Sequence, residues 1–559
     1  MVHRILKFLS REISGVHEAA YLLGLFAIVS QVLALVRDRL FASYFGAGHA
    51  LDMYYTAFRI PDVLFVTVAS LVSMSVLIPF LIEKTEQGKE ATNRFINSVF
   101  SLFFFLIVVA STIAFFLIPR LTDMLFPGLA TGESRAELIT LSRMLLLSPL
   151  LLGISNFLGS ITQMMNRFFI YALSPVLYNI GIIIGVLWLS PVFGVQGLVY
   201  GVILGAVLHM GIQIPFIVRH GYWPRLTFSI SIADVRRVVL ISIPRAFTVS
   251  APELARLALV SIASLMAVGS ISVFTFAYNL ESVPLSIIGV SYSLAAFPIL
   301  TRHFVGGNKE KFVEHMIACT RHVVFLSMPI SILFIVLRAQ IVRTILGSGQ
   351  FTWSDTKLTA ACLAIFVISL IPQSLSLLFV RAHYSSGNTR VPLVVNTLSA
   401  LSVIAGAFAF THIFSTYSTV QYFFESLFKV EDIQGSVVLM LALAYLFGTW
   451  VGFVAFWVLF QREYKAFARP VLATIFQSFA ASVIMGFVAY KFLAVFDDVF
   501  NINTLLGIFL QGLLSGLIGI AVGIVLLKAL KSKEMDEMWS ALHRKFWKAK
   551  VIGPDPEVG

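Results

Sequence analysis

"LVRDRLFASYFGAGHALDMYYTAFRIPD", residues 35–62, carries Arg37, Asp38, Arg39, Asp52, Arg59 and Asp62 between two long apolar stretches. Ionisable side chains are costly inside a bilayer and persist there where they face water, a partner or a ligand. What these six charges do therefore depends on where the membrane lies.

The chain has 559 residues, of which 58% are hydrophobic and 12% charged, and its mean hydropathy is +0.91. A soluble domain carries about twice that charged share. Residues 95–118, 257–280, 433–461 and 499–527 contain no Asp, Glu, Lys or Arg. Each run exceeds the roughly 20 residues that cross a bilayer. Residues 168–218 are equally free of charge, but "LSPVFGVQG" divides them into two spans joined by a tight turn. The pattern predicts an all-α polytopic membrane protein with about fourteen transmembrane helices. They are placed near 17–36, 53–82, 95–118, 140–165, 168–190, 196–218 and 238–264. The second seven lie near 268–300, 316–337, 358–382, 391–413, 433–461, 470–490 and 503–527.

Two cysteines, Cys319 and Cys362, exclude a disulfide framework. The opening "MVHRILKFLSREISGVHEAAYLL" lacks a small-residue cleavage site, and residues 1–16 fit a basic interfacial helix. The net charge of +12 is explained by Lys and Arg retained on the cytoplasmic side, with no need for nucleic acid. Under an odd–even alternation of spans, Lys and Arg concentrate in the inside segments, which predicts cytoplasmic N- and C-termini. The basic, amphipathic "KALKSKEMDEMWSALHRKFWKAK" suits anionic inner-leaflet lipid.

A weak repeat runs through the chain. "YYTAFRIPD" around Ala57 resembles "FTFAYNLESVP" around Ala277, an offset of 220 residues. Pro79 and Pro298 are offset by 219, and Pro175 with Pro392 and Asn179 with Asn396 by 217. A repeat with an even number of spans gives two lobes of equal orientation facing a central cavity. The plan is an interfacial segment 1–16, an N-lobe 17–218, a cytoplasmic linker 219–237 and a C-lobe 238–461. The last two spans, 462–530, and a basic tail, 531–559, complete it.

Two readings of the opening stretch follow. One is a salt-bridge cluster at the membrane border, with arginines reaching to headgroups. The other is a cationic inner wall that receives an anionic headgroup, with Asp52 orienting an arginine. Arg59 lies about two turns into the second span beside Pro61, where a bent helix can line a cavity. "SIPRAFTVSAPELARLALV" adds Arg245 and Arg256 with Glu253 between them, and Arg256 shares a helix face with Glu253. Span eight adds Asn279 and Glu281 near the repeat counterpart of Arg59. Arginine's planar fork suits phosphate, which favours a phosphate or pyrophosphate ligand over a cationic drug. "FGAG" has no Walker lysine, so it is no nucleotide loop. Glu314, His315, Cys319 and His322 could share a helix face, but sit at a basic border unsuited to a metal. No catalytic constellation or soluble catalytic domain is present, and the expectation is a transporter.

The stretch closely resembles the signature of the MurJ (MviN) lipid II flippases: R-D, then F-G-A-G, D-A-F/Y and A-F-R/K-I-P-N. The likeness continues through "NRFFIYALSPVLYN", "GVSYSLAAFPILTRHF", "GSGQFTWSDT" and "RAHYSSGNTRVPL". The resemblance implies the multidrug/oligosaccharidyl-lipid/polysaccharide exporter (MOP) fold in a bacterial cytoplasmic membrane. It implies a cavity for the pyrophosphate–sugar–peptide head of lipid II and a groove for its tail on the last two helices. Arg37, Asp52 and Arg59 match the family pattern. Gln31, Phe65 and Asn279 stand where the family has arginines, and Arg245 and Arg256 are the expected substitutes. Asn388 replaces the acid of the family's D-T-x-T-P motif.

The substrate-binding candidates are thus Arg37, Asp52, Arg59, Arg245, Arg256, Asn279, Gln31 and Glu281. No cofactor or metal is expected, and transport is coupled to the membrane potential or a cation. The expected partners are lipid II, membrane lipids and cell-wall synthesis proteins. Alternatives are a flippase for another polyprenyl-pyrophosphate saccharide, a cation-coupled multidrug exporter, or an inactive cell-wall scaffold. The exporter reading requires several embedded carboxylates.

Overall fold

The computed structural model describes residues 16–69, 74–229, 231–431, 433–465 and 467–547. Side chains at 16–21, 74–76, 79, 232–234, 241, 244–245 and 541–547 lie outside that description. So do residues 1–15 of the expected interfacial segment and 548–559 of the tail.

Among the described residues all regular structure is helical. Hydrocarbon offers no partner for backbone N–H and C=O groups, so each span must satisfy its own. Eleven helices are long and apolar enough to cross a membrane. A bent pair, Trp353–Ile368 and Leu370–Ser385, raises the number to twelve. Their 42° bend falls at Ser369, just before Pro372, whose ring nitrogen donates no hydrogen bond. Among the described residues the expected fourteen is not confirmed. The two expected spans without a match, 17–36 and 53–82, both include positions outside the description, side chains 17–21 and residues 70–73.

The chain forms two compact units. The larger comprises Met1–Val283, Ile345–Phe366 and Asn388–Gly452, and the smaller Pro284–Thr344, Val367–Gly387 and Phe453–Gly559. In the larger unit, Val16–Phe45 packs on Phe168–Ile184, and Ile232–Ala263 packs on Arg390–Thr416. One type of joint holds both pairs. Asn179 Nδ2 donates to the Ser30 hydroxyl at 3.1 Å, and Asn396 Nδ2 donates to the Thr248 carbonyl at 3.2 Å. These asparagines are the repeat partners noted above, so the sequence repeat reappears as a repeated contact. Val195–Gly211 meets Phe168–Ile184 and the π turn Gly185–Leu189 through small residues. A Cβ added to Gly185 would lie 2.5 Å from the Gly201 Cα, so the backbones touch without side chains between them.

In the smaller unit, Lys309–Val336 packs on Ala468–Asp497, which packs on Leu505–Ala529. The amphipathic helix Lys533–Trp547 adds Met535 to a cluster with Phe325, Ala481 and Leu527. Glu534 accepts from Arg321 Nε and Thr474 Oγ1, both at 2.6 Å.

Candidate binding site

All the charged groups of interest lie in the larger unit. Arg37 and Asp38 lie about two turns before the end of helix Val16–Phe45, and the chain resumes in His49–Ala57 and Arg59–Ala69. The break at Phe58 puts Arg59 and Pro61 in a new first helical turn, where proline's missing N–H costs nothing.

Asp38 is the centre of the first group. Its Oδ1 accepts from Arg37 Nε at 3.0 Å and from Arg37 Nη2 at 2.8 Å. Its Oδ2 accepts from Asn279 Nδ2 at 2.9 Å, so one buried carboxylate links the two halves of the repeat. Arg37 Nη1 also donates to Asn179 Oδ1 at 3.3 Å. Asn279 thus binds a carboxylate that already holds a guanidinium.

Arg59 and Arg256 make the second group. Arg59 is 7% exposed; its Nε donates to the Tyr55 carbonyl at 3.1 Å, and its Nη1 lies 3.9 Å from Asp62. Arg256 is bound to Glu253 three residues earlier, and its guanidinium lies over the Tyr278 ring, 5.5 Å from the centroid. The charges of Arg59 and Arg256 act on one another. Arg59 Nη1 and Arg256 Nε are buried and donate to no group. Arg37 and Arg256 are offset by 219 residues and Arg59 and Asn279 by 220, so the site carries the repeat in its own residues.

Several expectations change. Asp52 orients no arginine: its Oδ2 accepts the Gly269 N–H at 2.6 Å, and its Oδ1 accepts the Ser272 N–H at 2.8 Å and the Ser272 hydroxyl at 2.6 Å. It satisfies N–H groups left open at the start of Ser270–Leu285. The wall is not cationic either. Among the described residues each of Arg37, Arg59 and Arg256 has its own carboxylate, Asp38, Asp62 and Glu253. In these three pairs carboxylates match arginines one for one, where the sequence reading includes a cationic inner wall. Glu281 is fully buried, and its charge acts on Tyr445, whose ring lies 5.8 Å from that of Tyr278. Gln31 and Phe65 are partly buried. The Arg245 side chain lies outside the described residues.

Asp38, Asp62, Asn179 and Tyr278 are absent from the sequence-derived candidates. Asp62 had a usable signal, its spacing of three from Arg59. Asn179 had another, its repeat partner Asn396. Asp38 had a third, its place beside Arg37, whereas Tyr278 has no comparable signal because its partners come from the fold. Among the described residues no cluster of three or more His, Cys, Asp or Glu could hold a metal ion. His322, one of the four considered, bonds Glu537 at 2.9 Å.

Paired arginines with two spare buried donors are chemically suited to phosphate oxygens. The family described as lipid II flippase MurJ matches residues 41–511. The chain belongs to this family. A relative from Buchnera aphidicola subsp. Acyrthosiphon pisum, named "Probable lipid II flippase MurJ", is 26% identical over 386 residues, 68% of this chain and 75% of the relative. A solved structure titled "Lipid II flippase MurJ, inward closed conformation" superposes with a TM-score of 0.72 at 23% identity. It covers 91% of this chain and 99% of that one. An inward-facing multidrug resistance MATE family transporter of the MOP superfamily gives 0.64 at 16% identity, over 78% and 96%. At these identities the two structures show the fold that this chain shares with them.

Proposed function

We propose that this chain carries lipid II from the inner to the outer leaflet of the bacterial cytoplasmic membrane by alternating access. It is a multi-pass membrane protein and a transporter, not an enzyme. The observation that carries the site assignment is the pair of buried, unengaged donors, Arg59 Nη1 and Arg256 Nε, contributed by different halves of the repeat. A guanidinium with spare N–H groups binds phosphate oxygens with defined geometry. Asp62 and Glu253 hold the two arginines in place.

In this reading, residues 17–218 and 238–461 act as the two lobes, with both termini cytoplasmic. The head crosses in the polar interior while the polyprenyl tail follows the last two spans in lipid. The membrane potential, negative inside, favours outward movement of an anionic head. Cell-wall synthesis proteins receive the product outside.

The test is depletion of a host's own flippase and rescue with this chain, scoring outer-leaflet lipid II by its accessibility to an added enzyme. Wild type should restore growth and accessibility, and Arg59→Ala with Arg256→Ala should restore neither at equal membrane abundance. Growth without restored accessibility would refute transport as the function, and full activity in the double variant would refute this site.

A further inference from the structure

We infer that headgroup binding takes up a proton, and that Asp62 is the group that receives it. This rests on the lipid II reading and adds a coupling that the reading does not contain.

The inference begins with a charge count. Arg37 sits beside Asp38, Arg59 three residues before Asp62, and Arg256 three residues after Glu253. Among the described side chains the three pairs sum to zero, and buried Glu281 adds no positive charge. A pyrophosphate diester brings two negative charges into this neutral, membrane-embedded site. Two uncompensated charges there are strongly unfavourable, and a titratable site relieves the excess by changing its protonation.

The geometry selects the carboxylate. Asp38 accepts three N–H bonds, from Arg37 twice and Asn279 once, and is 3% exposed. Glu253 is tightly bonded to Arg256. Among the described residues Asp62 has only the 3.9 Å ion contact with Arg59, and its side chain is 34% exposed. A charge that exposed within a span must face water, which gives protons access. The groups acting on Asp62 are Arg59 on its own helix and Arg256 and Glu253 on Ile232–Ala263. Asp62 in turn acts on Tyr54 of His49–Ala57 and Tyr178 of Phe168–Ile184. The packed helix Leu147–Met164 contains no charged residue, and Lys89–Leu125 and Gly132–Leu145 bring no charge that acts on Asp62.

When phosphate oxygens take the spare N–H groups of Arg59 and Arg256, Asp62 loses its share of their compensation. A proton passes from water to an Asp62 carboxyl oxygen, and the new O–H can donate to a phosphate oxygen. Release of the headgroup returns the proton to water. The loaded site thus moves one negative charge fewer than the headgroup carries.

The experiment is calorimetric titration of the full chain in nanodiscs with a short-prenyl lipid II analogue, in MOPS and in Tris at one pH. The difference in heat should correspond to about one proton taken up per headgroup bound. Wild-type affinity should weaken towards about tenfold per pH unit as pH rises above neutrality, a range in which the pyrophosphate diester does not titrate. Asp62→Asn should bind with no proton exchange. Wild-type binding with no buffer dependence overturns the inference and leaves the flippase reading standing. Proton uptake that persists in Asp62→Asn overturns the assignment to Asp62. If Asp62→Asn does not fold, the wild-type buffer and pH series still decides whether uptake occurs. Failure of the wild type to bind the analogue overturns the flippase reading, and this inference with it.

Discussion

The carboxylate of Asp52 accepts both the backbone N–H and the hydroxyl of Ser272, 220 residues away, at 2.8 and 2.6 Å. Its other oxygen accepts the Gly269 N–H. Gly269 adopts φ +91°, and a Cβ there would lie 2.2 Å from the Ala47 carbonyl oxygen, so only glycine fits this approach. The start of one half's helix is therefore capped by a side chain from the other half.

Asp52→Ala should lower stability by about 2 kcal/mol or somewhat more, combining a lost cap with buried N–H groups left open. Ser272→Ala, which keeps two of the three bonds, should cost less. Thermal unfolding in detergent of wild type and both variants checks the order. Equal stability of Asp52→Ala and wild type would show that the cap contributes nothing to the fold.

Arg37→Ala should damage folding as well as transport, because it strands buried Asp38 without its cation. Breaking a buried pair from one side costs about 3–5 kcal/mol. Adding Asp38→Asn should recover folded yield but not flipping. Adding Asn279→Arg to Arg37→Ala should recover part of both, since the new guanidinium starts within reach of Asp38 Oδ2. Folded yield and outer-leaflet lipid II, measured across the set, separate structural loss from loss of headgroup contact.

What was legible in the sequence divides along physical lines. A long charge-free run such as 95–118 has one outcome in a bilayer, so its helix is readable directly. The first two expected spans carry equally apolar, charge-free runs at 19–36 and 63–82, and the charges that build the site, Arg37, Asp38, Arg59 and Asp62, flank those runs. Residue type alone marks Arg37, Arg59 and Arg256 as candidates. Whether each guanidinium meets a carboxylate or open space depends on rotamers and on neighbours far along the chain. Asp52 shows this most clearly, since its donors lie 217 and 220 residues away. The spacing of Gly197, Gly201 and Gly205 is a small-residue pattern that does announce a close helix contact.

That contact supports a third prediction. Gly201→Val should separate Val195–Gly211 from Phe168–Ile184, because even a Cβ would sit 2.5 Å from the Gly185 Cα. Overpacking of this kind costs about 1–3 kcal/mol, and it should displace Tyr178 and Asn179 on the partner helix. Gly211→Ala, where no atom lies within 4 Å of the added Cβ, should be neutral. Detergent-solubilised yield and melting temperature test the contrast. A Gly201→Val protein as stable as Gly211→Ala would mean that the helices are not held this closely.

The last prediction concerns Glu534, outside the spans. Burial by itself would push its carboxyl up, but hydrogen bonds from Thr474, its own backbone N–H, Ser532 and Arg321 outweigh burial and hold it down to about 2, from an ordinary 4.5. Ser532 Oγ donates at 2.8 Å to the oxygen that Arg321 and Thr474 leave free. A carboxyl depressed in the folded state binds its proton more readily when unfolded. Its stabilising effect is therefore fully present above about 4.5 and is lost as pH falls towards 2. The full gap corresponds to a contribution on the order of 3 kcal/mol. Glu534→Gln should be less stable than wild type at pH 7, and the difference should shrink steadily as pH falls below 4.5. Arg321→Gln should reproduce part of the loss at pH 7, because Thr474 and Ser532 still donate. Melting temperatures in detergent across that range provide the measurement. A gap between wild type and Glu534→Gln that stays constant down to low pH would show that Glu534 stabilises the smaller unit by packing, not through its charge.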